Sequence, residues 1–312
     1  MVRRRPLFPA HLSDAAVVGV PGPWEHRFVG AHGARFHVAV LEPAPDPART
    51  PGEHAPLVLL LHGGLQNWFA WRHVVPVLAA AGWRVVAADL RGHGASDATP
   101  RGYHQAGLAD DVDALVRSLG HDRAAVVGHD LGGWVGWTLA HRHTDRVAGL
   151  ALVATPPPSP GVLLGRGVTR RWPALLAAAQ VPGLPERRLL HHDGVRRFLD
   201  AGRAGRTPEA DVAYYVSCVR VPSVAHTVLE PARWLARASV RPDGARWWRA
   251  VRTRPPVPLL TVAGERDGLL GPPSRDADVV VPGVGHLLPE EAPAEVCDAL
   301  LAWLPTVLPT GV

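Results

Sequence analysis

The chain contains no lysine: all 33 of its basic residues are arginine, set against 28 acidic residues for a formal charge of +5. The arginines are scattered rather than striped, and no nucleic-acid motif accompanies them. The basic balance therefore reads as compositional bias, and nucleic acid is not an expected partner. Cysteine is almost absent. Cys218 and Cys297 provide no disulfide framework and no metal-binding spacing. His191-His192-Asp193 lacks a third ligand, so no metal is expected, and no motif calls for a cofactor. No apolar run approaches the length of about 20 residues that spans a bilayer. Arg3-Arg4-Arg5 precede only a short, broken apolar patch, Leu7 to His11, which does not make a signal core. These absences leave a cytoplasmic globular protein as the expectation, with no membrane insertion. Either a monomer or a homodimer is compatible with it. At 312 residues, 47% hydrophobic and 20% charged, the chain can bury a large core.

Residues 1–23 read as an irregular arm ending in Pro21-Gly22-Pro23. Alternating apolar residues around the turn Gly30 to Gly33 predict a β-hairpin over 25–42. The proline-rich stretch 43–56 predicts a surface loop. Leu57 to Leu61, Val85 to Ala88, Ala124 to Val127 and Val147 to Val153 are short apolar runs of the kind buried on both faces of a sheet. Helical spacing separates them, at Trp71 to Ala80, at 107–119 and after residue 134. Strands alternating with helices imply an α/β fold with a mostly parallel, twisted sheet flanked by helices. From Thr155 to Pro255 the strand pattern stops and helical stretches take over. It resumes at Leu259 to Val262, then Asp278 to Val281, and a last helix covers Pro293 to Trp303. The expected organisation is a core of residues 24–154 and 256–312, interrupted by a helical cap, or lid, over 155–255.

The third strand runs into Gly128-His129-Asp130-Leu131-Gly132-Gly133 and then a helix. Strand, tight turn and helix make the nucleophile-elbow arrangement of α/β-hydrolases, with Asp130 where serine usually stands. The glycines remove bulk where strand and helix must pass closely. An aspartate capping an ordinary helix would look similar, but partners follow in the right order. Asp267 comes just after the strand at 259–262, with Glu265 its near rival, and His286 follows the strand at 278–281. Nucleophile, acid, histidine is the hydrolase order along the chain, and strand C-termini are where such sites collect. His62-Gly63-Gly64 follows the first core strand, so the amides of Gly64 and Leu131 are candidates for an oxyanion hole.

Aspartate changes the chemistry. A carboxylate is ionised at neutral pH and needs no base before it attacks. It can displace a leaving group from saturated carbon and form an alkyl ester. His286, oriented by Asp267, would then activate water to hydrolyse that ester. Epoxides and alkyl halides fit this chemistry better than ordinary esters.

From about residue 24 to 305 the chain resembles the epoxide hydrolase group of the α/β-hydrolases, which is related to the haloalkane dehalogenases. The resemblance rests on His62 to Arg72, Asp89 to Asp97, Gly128 to Gly133 and Gly283 to His286. It implies a cofactor-independent enzyme opening a small apolar epoxide to a diol with water. It also implies cap tyrosines that hydrogen-bond and protonate the oxirane oxygen. Tyr215 fits the first by its distance to Arg220-Val221-Pro222, while the second position holds Ala232. Leu65 replaces the proline common after the oxyanion residue. Leu131 replaces the tryptophan that holds halide in dehalogenases, which weakens that alternative. Hydrolysis of an unusual ester or lactone, and simple ligand binding on a hydrolase scaffold, are the other readings. Trp68, Tyr214 and Trp234 are candidate substrate contacts.

Overall fold

A computed structural model of the chain describes residues 19–46, 54–163, 169–274 and 276–309. Most of the arm expected over 1–23, and residues 47–53 of the proline-rich loop, lie outside the described residues. The strands are β1 (Glu25–Ala31), β2 (Ala34–Leu41), β3 (Leu57–Leu61), β4 (Arg84–Ala88), β5 (Ala124–His129), β6 (Val147–Val153), β7 (Leu259–Gly264) and β8 (Val279–Val281). They form one eight-stranded sheet in the order β1-β2-β4-β3-β5-β6-β7-β8. β1 and β2 make the antiparallel hairpin, β2 pairs antiparallel with β4, and every other pairing is parallel.

The central strands are apolar on both faces because both faces are covered. All five residues of β3 are fully buried. Leu57, Leu59 and Leu61 pack with helices α2 (Gln105–Ser118) and α3 (Leu131–Arg142), while Val58 and Leu60 pack on the opposite face. There α1 (Val74–Ala80) and the last helix cover the sheet. Each leucine taken fully out of water contributes about 1.5–3 kcal/mol, so this alternation fixes the strand's position firmly.

Between β6 and β7 the described residues hold helices and turns but no strand. The helices of this insert are α4 (Pro160–Leu163), α5 (Arg171–Ala179), α6 (Leu184–Leu189), α7 (His192–Gly202), α8 (Glu209–Val219), α9 (Val224–Thr227), α10 (Glu230–Arg237) and α11 (Pro242–Val251). After β8 come α12 (Leu288–Glu291) and α13 (Pro293–Val307). No helix among the described residues is long and apolar enough to cross a membrane.

Candidate active site

β5 delivers Asp130 at its C-terminal end, and α3 begins at the next residue. Asp130 has φ 46° and ψ −109°, a conformation that residues with a Cβ seldom adopt. The strain persists because the neighbours leave no alternative path. A Cβ on Gly132 would lie 2.3 Å from the Leu61 carbonyl oxygen, and one on Gly128 would lie 2.4 Å from the Gly132 carbonyl oxygen. Only glycines let α3 pass this close to β3 and β5.

Three other strand ends converge on the aspartate. The Gly64 N–H, from the loop after β3, donates to Asp130 Oδ2 at 2.9 Å. His286, after β8, places Nε2 3.9 Å from Asp130 Oδ1. Its Nδ1–H donates to Asp267 Oδ2 at 2.8 Å. Asp267, after β7, is held in turn by the Leu269 and Leu270 amides, which donate to its Oδ1 at 2.8 and 2.7 Å. Glu265, the rival acid, points elsewhere and accepts from the Gly283 amide. Burial disfavours charge on His286, but the Asp267 carboxylate outweighs it and raises the imidazole to about 9. The Asp267 carboxyl is lowered despite its burial, chiefly by the same histidine.

His129, one residue before Asp130, fixes the histidine from behind. Its Nε2–H donates to the His286 carbonyl at 2.8 Å, and its Nδ1 lies 2.8 Å from the Gln66 carboxamide. Burial and the adjacent His286 push it down to about 4, so the ring is neutral. Leu65 has φ 60°, a value the proline ring forbids, so the missing proline comes with a different course of the oxyanion loop.

A cavity of about 590 Å³ lies over this cluster. Gly64, Asp130 and Leu131 line it from the core, and Trp172, Leu176 and Ala232 from the insert. Its exposed lining is mixed: Val181 and Leu184, each 44% exposed, stand beside Arg188, His191, Asp193 and Arg197. No cluster of metal ligands occurs among the described residues.

The structure gathers Gly64, Asp130, Leu131, Asp267 and His286, but it moves the expected aromatic residues away. Tyr215 is a correction to the expected proton donor. It is 1% exposed, it does not line the cavity, and its hydroxyl donates to the Glu290 carboxylate at 2.6 Å. Burial and Glu290 push the phenol well above its ordinary value. The resemblance placed Tyr215 by its distance to Arg220-Val221-Pro222, which says nothing of what the side chain packs against. Tyr214 stacks on Phe69 with ring centroids 4.0 Å apart and also stays outside the cavity lining. Trp68 packs edge-on against Trp24 and His26, in the core. Trp234 donates to Asp243 Oδ2 at 3.0 Å. Neither indole lines the cavity. The remaining tyrosine, Tyr103, donates to the Thr99 carbonyl, so none of the chain's three tyrosines reaches the cavity. Ala232 does line it. Sequence reasoning missed the cavity residues Gln105, Trp134 and Trp172, which sit in no recognisable motif.

Residues 56–200 match the family model of the alpha/beta hydrolase fold. The soluble epoxide hydrolase of a Corynebacterium species is 33% identical over 270 residues, covering 81% of this chain and 91% of that protein. The chain belongs to the epoxide hydrolase group of the α/β-hydrolases. Epoxide hydrolase B of Mycobacterium tuberculosis is 42% identical over 145 residues, 46% of this chain. That match spans only 37% of the relative's length. Among solved structures, epoxide hydrolase A of Mycobacterium thermoresistibile superposes with a TM-score of 0.70 at 25% identity. It covers 90% of this chain and 98% of its own. An epoxide hydrolase fold with Asp130 at the elbow, and without a phenol in the cavity, is the arrangement whose chemistry must be explained.

Proposed function

We propose that the protein hydrolyses small apolar epoxides to vicinal diols through a covalent alkyl ester on Asp130. The observation that carries this reading is the state of the Asp130 carboxylate. Gly64 holds Oδ2, while Oδ1 accepts no hydrogen bond from any described residue and lies on the His286 side. Oδ1 attacks the less hindered oxirane carbon, the C–O bond breaks, and Oδ2 becomes the ester carbonyl. His286, held by Asp267, then takes a proton from water. The hydroxide adds to the Asp130 carbonyl carbon, and the Gly64 amide, with the Leu131 amide beside it, stabilises the oxyanion. Removing one such donor elsewhere costs about 10²–10³ in kcat, which shows how much of the barrier this hole can supply. The catalytic residues of this reading are Asp130, Asp267 and His286.

The names of the related proteins favour the epoxide. A single turnover in heavy-oxygen water tests the ester. The label is expected in Asp130, with the enzyme's own oxygen in the diol. Label in the diol after that first turnover would remove the covalent step, as would full activity of Asp130→Asn.

One observation favours a second reading, dehalogenation. A halide leaves without a proton, and the cavity offers no phenol to supply one. Halide release from a haloalkane, with no diol from styrene oxide, would establish it in place of the first.

A further inference from the structure

The turn that carries His286 spends three consecutive amides on two acceptors. The Gly285 amide donates to Glu291 Oε2 at 3.2 Å, and the Leu287 amide donates to Glu291 Oε1 at 2.9 Å. The His286 amide between them donates to the Gly202 carbonyl at 2.8 Å. Gly202 is the last residue of α7, so this second acceptor belongs to the insert. The same carbonyl accepts from the amide of Gly268, the residue after Asp267, at 3.2 Å. The Ala204 amide then returns to Glu291 Oε2 at 2.9 Å. Residues 202–204 of the insert are thereby tied to the loops of both His286 and Asp267. The fit leaves no slack. A Cβ on Gly202 would lie 2.8 Å from His286 Cβ, and one on Gly285 would lie 2.4 Å from the Ala204 nitrogen. Only glycine lets the two segments lie this close.

A glutamate in the first turn of a helix commonly reaches back to the capping residue's amide, and a cap on α12 accounts for the Leu287 bond. It does not account for Oε2, which reaches past His286 to Gly285 and across to the insert. An ionised carboxylate only accepts, whereas a carboxamide of the same shape puts N–H₂ where one of these oxygens stands. α7 also lines the cavity with Phe198 and Ala201, just before Gly202. One element thus forms a wall of the cavity and grips the histidine turn.

We propose that Glu291 is a positioning residue which, with the Gly202 carbonyl of the insert, clasps His286 in place as the base of ester hydrolysis. This rests on the Asp130 ester reading. The histidine has to keep Nδ1 on Asp267, at 2.8 Å, while Nε2 stays on the Asp130 side. The Gly202 carbonyl ties the His286 turn to the Asp267 loop, and Glu291 closes the turn on either side of the histidine. His129 holds the same residue from behind through its carbonyl. Attack by Asp130 does not use His286, so loosening the clasp separates the two half-reactions. The charged groups that face His286 are Asp267 after β7, Asp130 at the end of β5 and Glu291 in α12. Arg203, inside the clasp, exerts its charge on Glu290.

The test uses the full-length protein with styrene oxide as the probe. Rapid quenching and mass spectrometry follow the formation and the decay of the adduct on Asp130 as separate rates. Glu291→Gln leaves a single acceptor oxygen, and Gly202→Ala drives a methyl group between the insert and His286. In both variants the adduct is expected to form at the wild-type rate and to decay on the order of 10²-fold more slowly, the cost of misplacing a catalytic group by about 1 Å. The pH at which decay levels off is expected to fall, since His286 then has less carboxylate to hold its proton. Glu291→Gln with wild-type decay and pH profile overturns the clasp, whatever its melting temperature, and leaves Glu291 a helix cap. Equal slowing of formation and decay also overturns it, because the whole site has then shifted. If even His286→Ala protein forms no adduct, the ester reading falls, and the role of the clasp with it.

Discussion

Tyr215 and Asp130 show how differently one residue can be read from the sequence and from the fold. Asp130 was legible because its neighbours constrain it: glycines on either side of a strand-to-helix turn have few uses other than an elbow. Asp267 and His286 were legible because each directly follows a short apolar strand, where parallel sheets gather their sites. Tyr215 carried no such constraint. Its spacing to Arg220-Val221-Pro222 put it in a helical stretch of the insert, and on α8 its hydroxyl meets Glu290 and not the cavity. Glu290 is buried, bonded by Arg72 at 3.1 Å as well as by Tyr215, and its carboxyl is pushed up mainly by burial. Arg72 also reaches Asp211 of α8 at 2.8 Å, so Tyr215 belongs to a polar tie between insert and core. Tyr215→Phe is therefore expected to leave ring opening near wild type. It should cost about 1–3 kcal/mol of stability, because one partner of a buried carboxylate is removed. Denaturant unfolding, read beside epoxide turnover, checks both halves. A loss of turnover with unchanged stability would return Tyr215 to the chemistry.

Among the elements, the sheet strands were the most legible part, because burial on both faces writes a continuous apolar run that no loop imitates. Val147–Val153 is the same strand in sequence and structure. Helix ends were less legible: the stretch expected as helix from Trp71 begins with a separate 3-10 turn, Trp68–Trp71, before α1. Asn67 caps that turn by accepting from the Phe69 amide at 3.0 Å, a local bond that competes with a continuous helix. The junction of β5 and α3 is where sequence and packing agree most closely. A methyl group at Gly132 would sit against backbone, which has no rotamer by which to yield. Gly132→Ala is expected to destabilise by about 3 kcal/mol, the upper end of the usual cost of overpacking, because α3 must move away from β3. It should also lower kcat, since the same shift rotates Asp130. A variant with wild-type melting temperature and turnover would show that the elbow is less tightly held than its contacts imply.

On the scale of the whole molecule, the sheet brings together groups that lie far apart in sequence, and the charge of the assembled cluster changes during the cycle. In the resting protein, burial works against the His286 imidazolium. Asp267, Asp130 and Glu291 all favour it, and the balance lies at about 9. At neutral pH the histidine is therefore protonated before substrate arrives. Alkylation turns the Asp130 carboxylate into a neutral ester and removes one of those favouring charges. Burial then counts for more, and the imidazole loses its proton more readily just when a base is needed. Because the base works only when neutral, ester hydrolysis is expected to rise with pH and to level off below about 9. The insert takes part by lining the cavity beside Asp130 with Trp172, Leu176 and Ala232. Single-turnover measurement of ester decay in the wild-type protein from acid to alkaline pH reads this directly. A rate that is flat across that range, or that falls as pH rises, would mean that His286 is not the base that releases the diol.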